Sequence, residues 1–327
     1  MDSKIPSWRQ ALAQAFTSID ALCQYLQIDV NALPVQPASK NFPLLAPRGF
    51  AACMQTGDPD DPLLRQVLPL QAEWNDYPGY SLDAVGDLAA VASAGLIHKY
   101  HGRALFIVTG ACAIHCRYCF RRNFPYGEQQ LNGEKLQKAI AYLQAHGEIN
   151  EIILSGGDPL LFSDEKLAGL LGELADIGHI RRIRIHSRVP VVLPCRITND
   201  FLDMLGATAK QIVLVIHANH GNELSAEVGL ACAAIKQRGV TLLNQSVLLK
   251  GVNDDSNVLC RLSEKLFGFG VLPYYLHMPD HAQGTKHFAV SEQQASDIMR
   301  RVRERLPGYL VPKLVREQAG AAYKLSV

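Results

Sequence analysis

Six segments rich in valine, isoleucine and leucine recur after residue 100, and their spacing limits the available folds more than any other feature. They begin at Ala104 (ALFIVTG), Glu151 (EIILSGG), Arg181 (RRIRIHSR), Gln211 (QIVLVIH), Val240 (VTLLNQSVLL) and Val271 (VLPYYLHM). After one longer gap the starts lie about thirty residues apart. Amphipathic stretches fill the intervals, among them GEKLQKAIAYLQAHG and NELSAEVGLACAAIKQRG, the second closing on Gly239 as a helix stop. Alternating strand and helix predicts a parallel sheet of βα units. Mostly apolar strands predict that both faces are covered. A doubly wound sheet and a full or partial barrel both satisfy this rhythm, although six units are too few for an eight-stranded barrel.

Residues 1–95 have a different texture: helical patterns (SWRQALAQAF, IDALCQYLQI), turn-rich stretches (TGDPDDPLLRQ) and no strand rhythm. We expect a mainly helical accessory region over 1–95, the sheet over 96–290, and a helix and short extended tail over 291–327. With 48% hydrophobic residues and a net charge of +1, the chain suits a soluble globular protein with a large core. That balance gives no electrostatic reason to expect nucleic acid or a membrane surface. No apolar run approaches the ~18 residues of a membrane span. Asp2 stands where a leader would place basic and then apolar residues, so a cytoplasmic protein is expected.

Of eight cysteines, Cys23, Cys53, Cys195, Cys232 and Cys260 are scattered singly, as small buried hydrophobes are. Cys112, Cys116 and Cys119 crowd into CAIHCRYCF, just after the first expected strand, where α/β folds place reactive loops. Thiolates favour zinc or iron–sulfur centres, and a structural zinc normally takes four ligands. Three thiolates on a cubane leave one iron without a protein ligand. The bland alternative is three core cysteines that happen to be close. Two further features are weaker alone. SGGDP, Ser155 to Pro159, ends the second strand and is also an ordinary turn sequence. Lys324 lies near the tail, where lysines are usually solvated.

The C-x₃-C-x₂-C loop resembles the signature of the radical S-adenosylmethionine superfamily, with Tyr118 in the aromatic position before the third cysteine. The resemblance implies a [4Fe–4S] cluster on Cys112, Cys116 and Cys119. It also implies S-adenosylmethionine on the open iron, cleaved by one electron to a 5′-deoxyadenosyl radical, and a partial (β/α)₆ TIM-type barrel. SGGDP resembles the superfamily's glycine-rich motif for the methionine amino group, carried by Ser155, Gly156, Gly157 and Asp158, with Asp158 as ammonium acceptor. PGYLVPKLVREQAGAAYK resembles the end of the lysine 2,3-aminomutase family, where a glycine-rich stretch delivers the lysine that binds pyridoxal 5′-phosphate. Lys324 would be that lysine, and burial among Gly320, Ala321 and Ala322 would lower its pKa. The family's glycine run is here Ala-Gly-Ala-Ala-Tyr.

This second resemblance runs from about residue 55 to the end, through DPDDPLLRQVLP, HKYHGRALFIVTGACAIHCRYCFRRNF, RIHSRVPVVLPCRIT, HANHGNE, LLNQSVLLKGVND and PYYLHMPDHAQGTKHF. It implies Arg121 for the substrate carboxylate, a task suited to a planar fork. Asp280 and Glu317 would hold the distal ammonium of lysine, Glu317 standing where the family has aspartate. Lys99, Tyr100 and Arg103 would contact pyridoxal phosphate, and His217 and Gln245 S-adenosylmethionine. Asp255 replaces a cysteine of the fermentative members' zinc site, so no zinc is expected. The short tail and CFRRNFPY look closer to the bacterial branch making (R)-β-lysine for elongation factor P. The implied activity is isomerisation of L-lysine to β-lysine. It would draw on an electron donor such as flavodoxin or ferredoxin and be linked to elongation factor P through its product. The oligomeric state stays open. The rivals are an aminomutase for another amino acid, such as arginine, and a non-catalytic metal-binding module.

Overall fold

The computed structural model describes residues 7–36 and 42–327, so Asp2, part of the leader argument, lies outside the described residues. One sheet of ten strands organises the chain, with spatial order equal to chain order. Strands β3 (Arg103–Thr109), β4 (Glu151–Gly156), β5 (Arg182–Ser187), β6 (Gln211–His217), β7 (Thr241–Val247) and β8 (Leu272–His277) are the six expected from the sequence. All are parallel in succession. Each is followed by a helix: Gly133–Ala145, Asp164–Ala175, Asn199–Ala207, Ala226–Gln237, Ser256–Gly268 and Glu292–Arg303. The fold is a partial (β/α)₆ barrel.

Each of those six helices starts the same way. Asn132, Ser163, Thr198, Ser225, Asp255 and Ser291 stand at the N-caps, and each side chain accepts a backbone N–H of the first turn. Such a cap satisfies a donor that the helix cannot, and is worth about 1 kcal/mol. Asp255 therefore has a structural task, accepting from Asn257 and Val258 N–H. The helices cover the outer face of the sheet. On β5 the alternation is strict, with Ile183 and Ile185 buried while Arg182, Arg184 and His186 face inward.

Four short strands were not anticipated as such. β1 (Val91–Ser93) and β2 (Leu96–Tyr100) form an antiparallel extension ahead of β3, so the stretch up to residue 95 is not free of strand. HKYHGR is consequently the end of β2 and the hairpin into β3, with Tyr100 paired to Arg103. At the other end β9 (Lys313–Arg316) adds a seventh parallel strand and β10 (Leu325–Ser326) turns back antiparallel to it. The two ends of the sheet do not pair with each other, leaving a seam between the β1–β2–β3 end and the β9–β10 end. The N-terminal helices Trp8–Ala13 and Ile19–Tyr25 share one continuous apolar core with the barrel. Among the described residues no helix is long and apolar enough to cross a membrane.

Candidate active site

A cavity of about 630 Å³ opens inside the curled sheet, and its lining includes every site residue singled out in the sequence. Cys112, Cys116, Cys119 and Arg121 come from the loop after β3, and Ser155 to Asp158 from the end of β4. His217 and Gln245 end β6 and lie within β7, while Asp280 follows β8. Lys99, Tyr100 and Arg103 come from the β2–β3 hairpin, and Glu317 and Lys324 flank the turn from β9 to β10.

The cysteine loop is clamped from the N-terminal region. Arg117 Nε donates to Glu73 Oε1 at 2.9 Å, its Nη2 bonds Oε2, and Arg122 Nη2 donates to the same Oε2 at 2.7 Å. Arg117 N–H donates to Gln66 O at 2.8 Å and His115 N–H to Leu45 O at 3.0 Å. Burial pushes the Cys112 thiol up, and the neighbouring Cys119 and Cys116 add to it. Cys119 is pushed up to about 11 by burial and then by Cys116. Cys112 and Cys119, held back from ionising by burial and by neighbouring sulfur, would be relieved by a cation beside them. Among the described residues no three His, Cys, Asp or Glu side chains converge as ligands of a single metal ion would.

The glycine motif is packed against the root of that loop. Gly157 N–H donates to Thr109 O and Asp158 N–H to Ala111 O, both at 2.7 Å. A Cβ on Gly157 would stand 2.2 Å from Ala111 O, and one on Gly156, whose φ is +118°, would stand 2.6 Å from Thr109 O. Only glycine permits this approach. The expectation that Asp158 offers its carboxylate to an ammonium is corrected by its partners. Oδ1 accepts from Ser187 Oγ (2.7 Å) and Leu160 N–H (3.1 Å), and Oδ2 from Arg188 N–H (2.8 Å) and Val189 N–H (3.2 Å). Those four bonds fill its acceptor sites. Burial still raises it to about 6. Asp158 ties β4 to the end of β5.

The seam of the barrel carries the charges. Asp87, which the sequence did not single out, takes Arg121 Nε on Oδ2 at 2.7 Å and Lys99 Nζ on Oδ1 at 2.6 Å. Lys99 Nζ also reaches Glu317 Oε1 across the seam at 3.3 Å and Val85 O at 2.8 Å. Glu317 Oε2 is bonded to Lys324 Nζ. Lys99 is thus surrounded by acceptors, which departs from its expected place in a free basic cluster for phosphate. Of that trio, Arg103 stacks on the Tyr100 ring at 4.7 Å. Burial, followed by Glu317, pushes the Tyr100 hydroxyl up.

The expected burial of Lys324 among small residues is also corrected. Gly320 and Ala322 are exposed and Ala321 partly so, and the ammonium is held by Glu317 instead. Burial works to raise Glu317, yet the Lys324 and Lys99 ammoniums hold it at about 2. Asp280 shows the opposite balance: burial, then the Glu317 charge, push it up to about 7. Arg121 Nη1 also donates to Ser155 Oγ at 3.2 Å, tying the β3 loop to the end of β4.

His217 and Gln245 are register partners on neighbouring strands, which places both on one stretch of wall. Burial, then Arg188 and His277, hold His217 well below its usual value, so its ring is neutral, stacked on Tyr118 with Nε2 and the Tyr118 hydroxyl 2.7 Å apart. On the inward stripe of β5, His186 Nε2 and Arg184 Nε are buried with no hydrogen-bond partner among the described residues, as is Arg188 Nε just beyond. All three residues line the cavity. Buried polar atoms of this kind, facing a cavity, suit a ligand's polar groups. The polar alternation of RRIRIHSR was the available signal for them. Asp87 had no comparable local signal.

The radical SAM superfamily model matches residues 106–260. The chain is 49% identical to "L-lysine 2,3-aminomutase" of Escherichia coli (strain K12), over 97% of this chain and 93% of that one. It is 47% identical to the protein of that name from Haemophilus influenzae, over 97% and 94%. A third, from Clostridium subterminale, is 33% identical over 100% of this chain and 79% of its own. With that identity over nearly the full length, and with the cysteine loop, the glycine motif and Lys324 on one cavity, the chain belongs to the lysine 2,3-aminomutase family of the radical SAM superfamily.

Proposed function

We propose that this protein is an isomerase converting L-lysine to β-lysine, with a [4Fe–4S] cluster, S-adenosylmethionine and pyridoxal 5′-phosphate as cofactors. One observation carries the reading. An arginine suited to a carboxylate, two acids suited to an ammonium, a cysteine triad and a tail lysine all open onto the same cavity. A ligand spanning Arg121 to Asp280 and Glu317 is an amino acid with a second, distal amine.

The residues fit the cofactors. Three thiols on one loop suit a cluster, and Gly156 and Gly157 line the cavity beside them. His217 and Gln245 offer neutral polar contacts to S-adenosylmethionine, and Ser155 a hydroxyl. Lys324 would hold pyridoxal phosphate, with Arg103 and Tyr100 toward its phosphate and the orphaned Arg184 and His186 as further donors. When bound, the cluster and S-adenosylmethionine supply a hydrogen-abstracting carbon radical, and pyridoxal phosphate a conjugated carbonyl through which nitrogen can pass between adjacent carbons. The chain itself orients the substrate and excludes water. Arg121, pinned by Asp87 and Ser155, fixes the carboxylate end. Asp280 and Glu317 fix the amine end, and Glu317 already shows its taste for ammoniums by holding two.

The reading extends to (R)-β-lysine as the product used on elongation factor P, to a flavodoxin- or ferredoxin-type electron donor and to a cytoplasmic setting. The decisive experiment is anaerobic incubation of the reconstituted protein with L-lysine, S-adenosylmethionine and dithionite, followed by chiral mass spectrometry. β-Lysine is expected, and none with Lys324→Ala. A product from arginine or another amino acid, with none from lysine, overturns the substrate. Colourless protein holding a single zinc overturns the chemistry.

A further inference from the structure

Arg188, the residue after β5, makes a contact that the proposed reaction leaves unassigned. Its Nη1 donates to Cys116 Sγ at 2.7 Å. The side chain has little freedom to leave that sulfur. Nη2 donates to Glu223 Oε2 at 2.9 Å and to Gln66 Oε1 at 2.6 Å. Glu223 is itself fixed, because its Oε1 accepts from Gln66 Nε2 (3.0 Å), Asn219 N–H (2.9 Å) and His220 N–H (3.0 Å). The Phe50 and Tyr118 rings lie 5.3 and 5.6 Å from the guanidinium carbon. From below, Asp158 holds the Arg188 backbone N–H. The glycine motif and the cysteine loop are thereby joined through one buried cation.

We propose that Arg188 sets the reduction potential of the iron–sulfur centre by donating a charge-assisted hydrogen bond to the Cys116 sulfur. The proposal rests on the reading above that the three cysteines carry that centre. One electron from a low-potential reductant adds one negative charge to the centre, and part of that charge falls on the cysteine sulfurs. A cationic donor held against one sulfur binds the reduced form more tightly than the oxidised form and raises the potential. Burial magnifies the difference, since the charges meet in a medium less polar than water. No proton moves, because the guanidinium stays protonated throughout. Glu223 and Gln66 act as the clamp that keeps the donor in place.

The test is a mediated dithionite titration of the full-length, anaerobically reconstituted protein, followed by the electron paramagnetic resonance signal of the reduced centre. Wild type is compared with Arg188→Met, Arg188→Gln and Arg188→Lys. Loss of the charge in the Met and Gln variants is expected to lower the equilibrium constant for reduction about tenfold, or about 59 mV for one electron. The Lys variant, keeping the charge without the fork, should fall by a smaller factor, about threefold. A merely structural role would alter iron retention and leave the potential of the retained centre where it was. Should the neutral variants lose their iron, the Lys variant is read alone, and an unchanged potential there overturns the proposal. An unchanged potential in iron-loaded Met and Gln variants does the same. If wild type takes up no four-iron centre, the cysteine reading falls instead.

Discussion

At the scale of single residues, the site is governed by which charges are neutralised by neighbours and which wait for a ligand. Asp280 waits. It must be ionised to hold an ammonium, yet burial and Glu317 place it at about 7 in the substrate-free protein. Below that pH a proton must leave before lysine binds, so affinity should rise about tenfold per pH unit up to about 7 and then level off. The sign for stability is the reverse. A raised carboxylate stabilises the fold at low pH, and that contribution is lost as pH climbs through about 7. Lysine should therefore protect the cofactor-loaded protein against heat more strongly at pH 8 than at about pH 6. A KM for lysine that is flat across this range, or one that keeps its slope in Asp280→Asn, would refute the assignment. Gly157 is the second residue with a sharp consequence. In Gly157→Ala the new methyl meets the backbone oxygen of Ala111 at 2.2 Å, which no side-chain rotation can relieve, so the β3 and β4 loops must separate. We expect loss of iron binding and a destabilisation of about 2 kcal/mol or more, read by iron analysis and urea denaturation.

At the scale of elements, six strands and their helices were legible because each carries its own period. Runs of six or seven residues, apolar or alternating and spaced by capped helices, mark themselves as strands without help from the rest of the chain, while the order in which they pair does not follow from the pattern. β1, β2, β9 and β10 have two to five residues each and draw their definition from the strands they extend. The site divided the same way. The cysteines and SGGDP are local motifs, while the ion pairs of Asp87, Glu73 and Glu223 are made with arginines 34 to 49 residues away. Glu73 shows what such a partner is worth to an element. It joins the short helix Gln71–Trp74 to Arg117 and Arg122 on the cysteine loop, and all three side chains are nearly or fully buried. Glu73→Gln leaves two buried guanidiniums without their counter-charge, which should cost about 3–5 kcal/mol. The loop would loosen first, so iron should dissociate at lower denaturant than wild type requires. A variant within about 1 kcal/mol of wild type, with iron equally well held, would show that the clamp is decorative.

At the scale of the whole molecule, the question is whether the N-terminal region is an accessory or part of the barrel. Leu22, Leu26, Leu44, Phe50, Leu63 and Leu64 are almost wholly buried, and they belong to the same apolar cluster as Ile152, Leu154, Ile183, Ile185 and Leu214 of the sheet. Each such side chain gains about 1.5–3 kcal/mol from burial. Six of them together match or exceed the ~5–15 kcal/mol by which a domain of ordinary stability stays folded. The same region supplies Glu73 and Gln66 to the cysteine loop and Asp87 to Arg121 and Lys99. A boundary at residue 95, natural to the sequence pattern, would cut through this core and strip the charge network of its central acid. A fragment of residues 96–327 should therefore fail to melt cooperatively, bind a hydrophobic dye and hold little iron, whereas the full chain shows one sharp transition. A soluble fragment with a cooperative melt and full iron uptake would make the N-terminal region separable. Mixing the fragment with a separately made N-terminal piece supplies the complementary measurement. If the shared core is what folds the barrel, the cooperative transition should return only when both pieces are present.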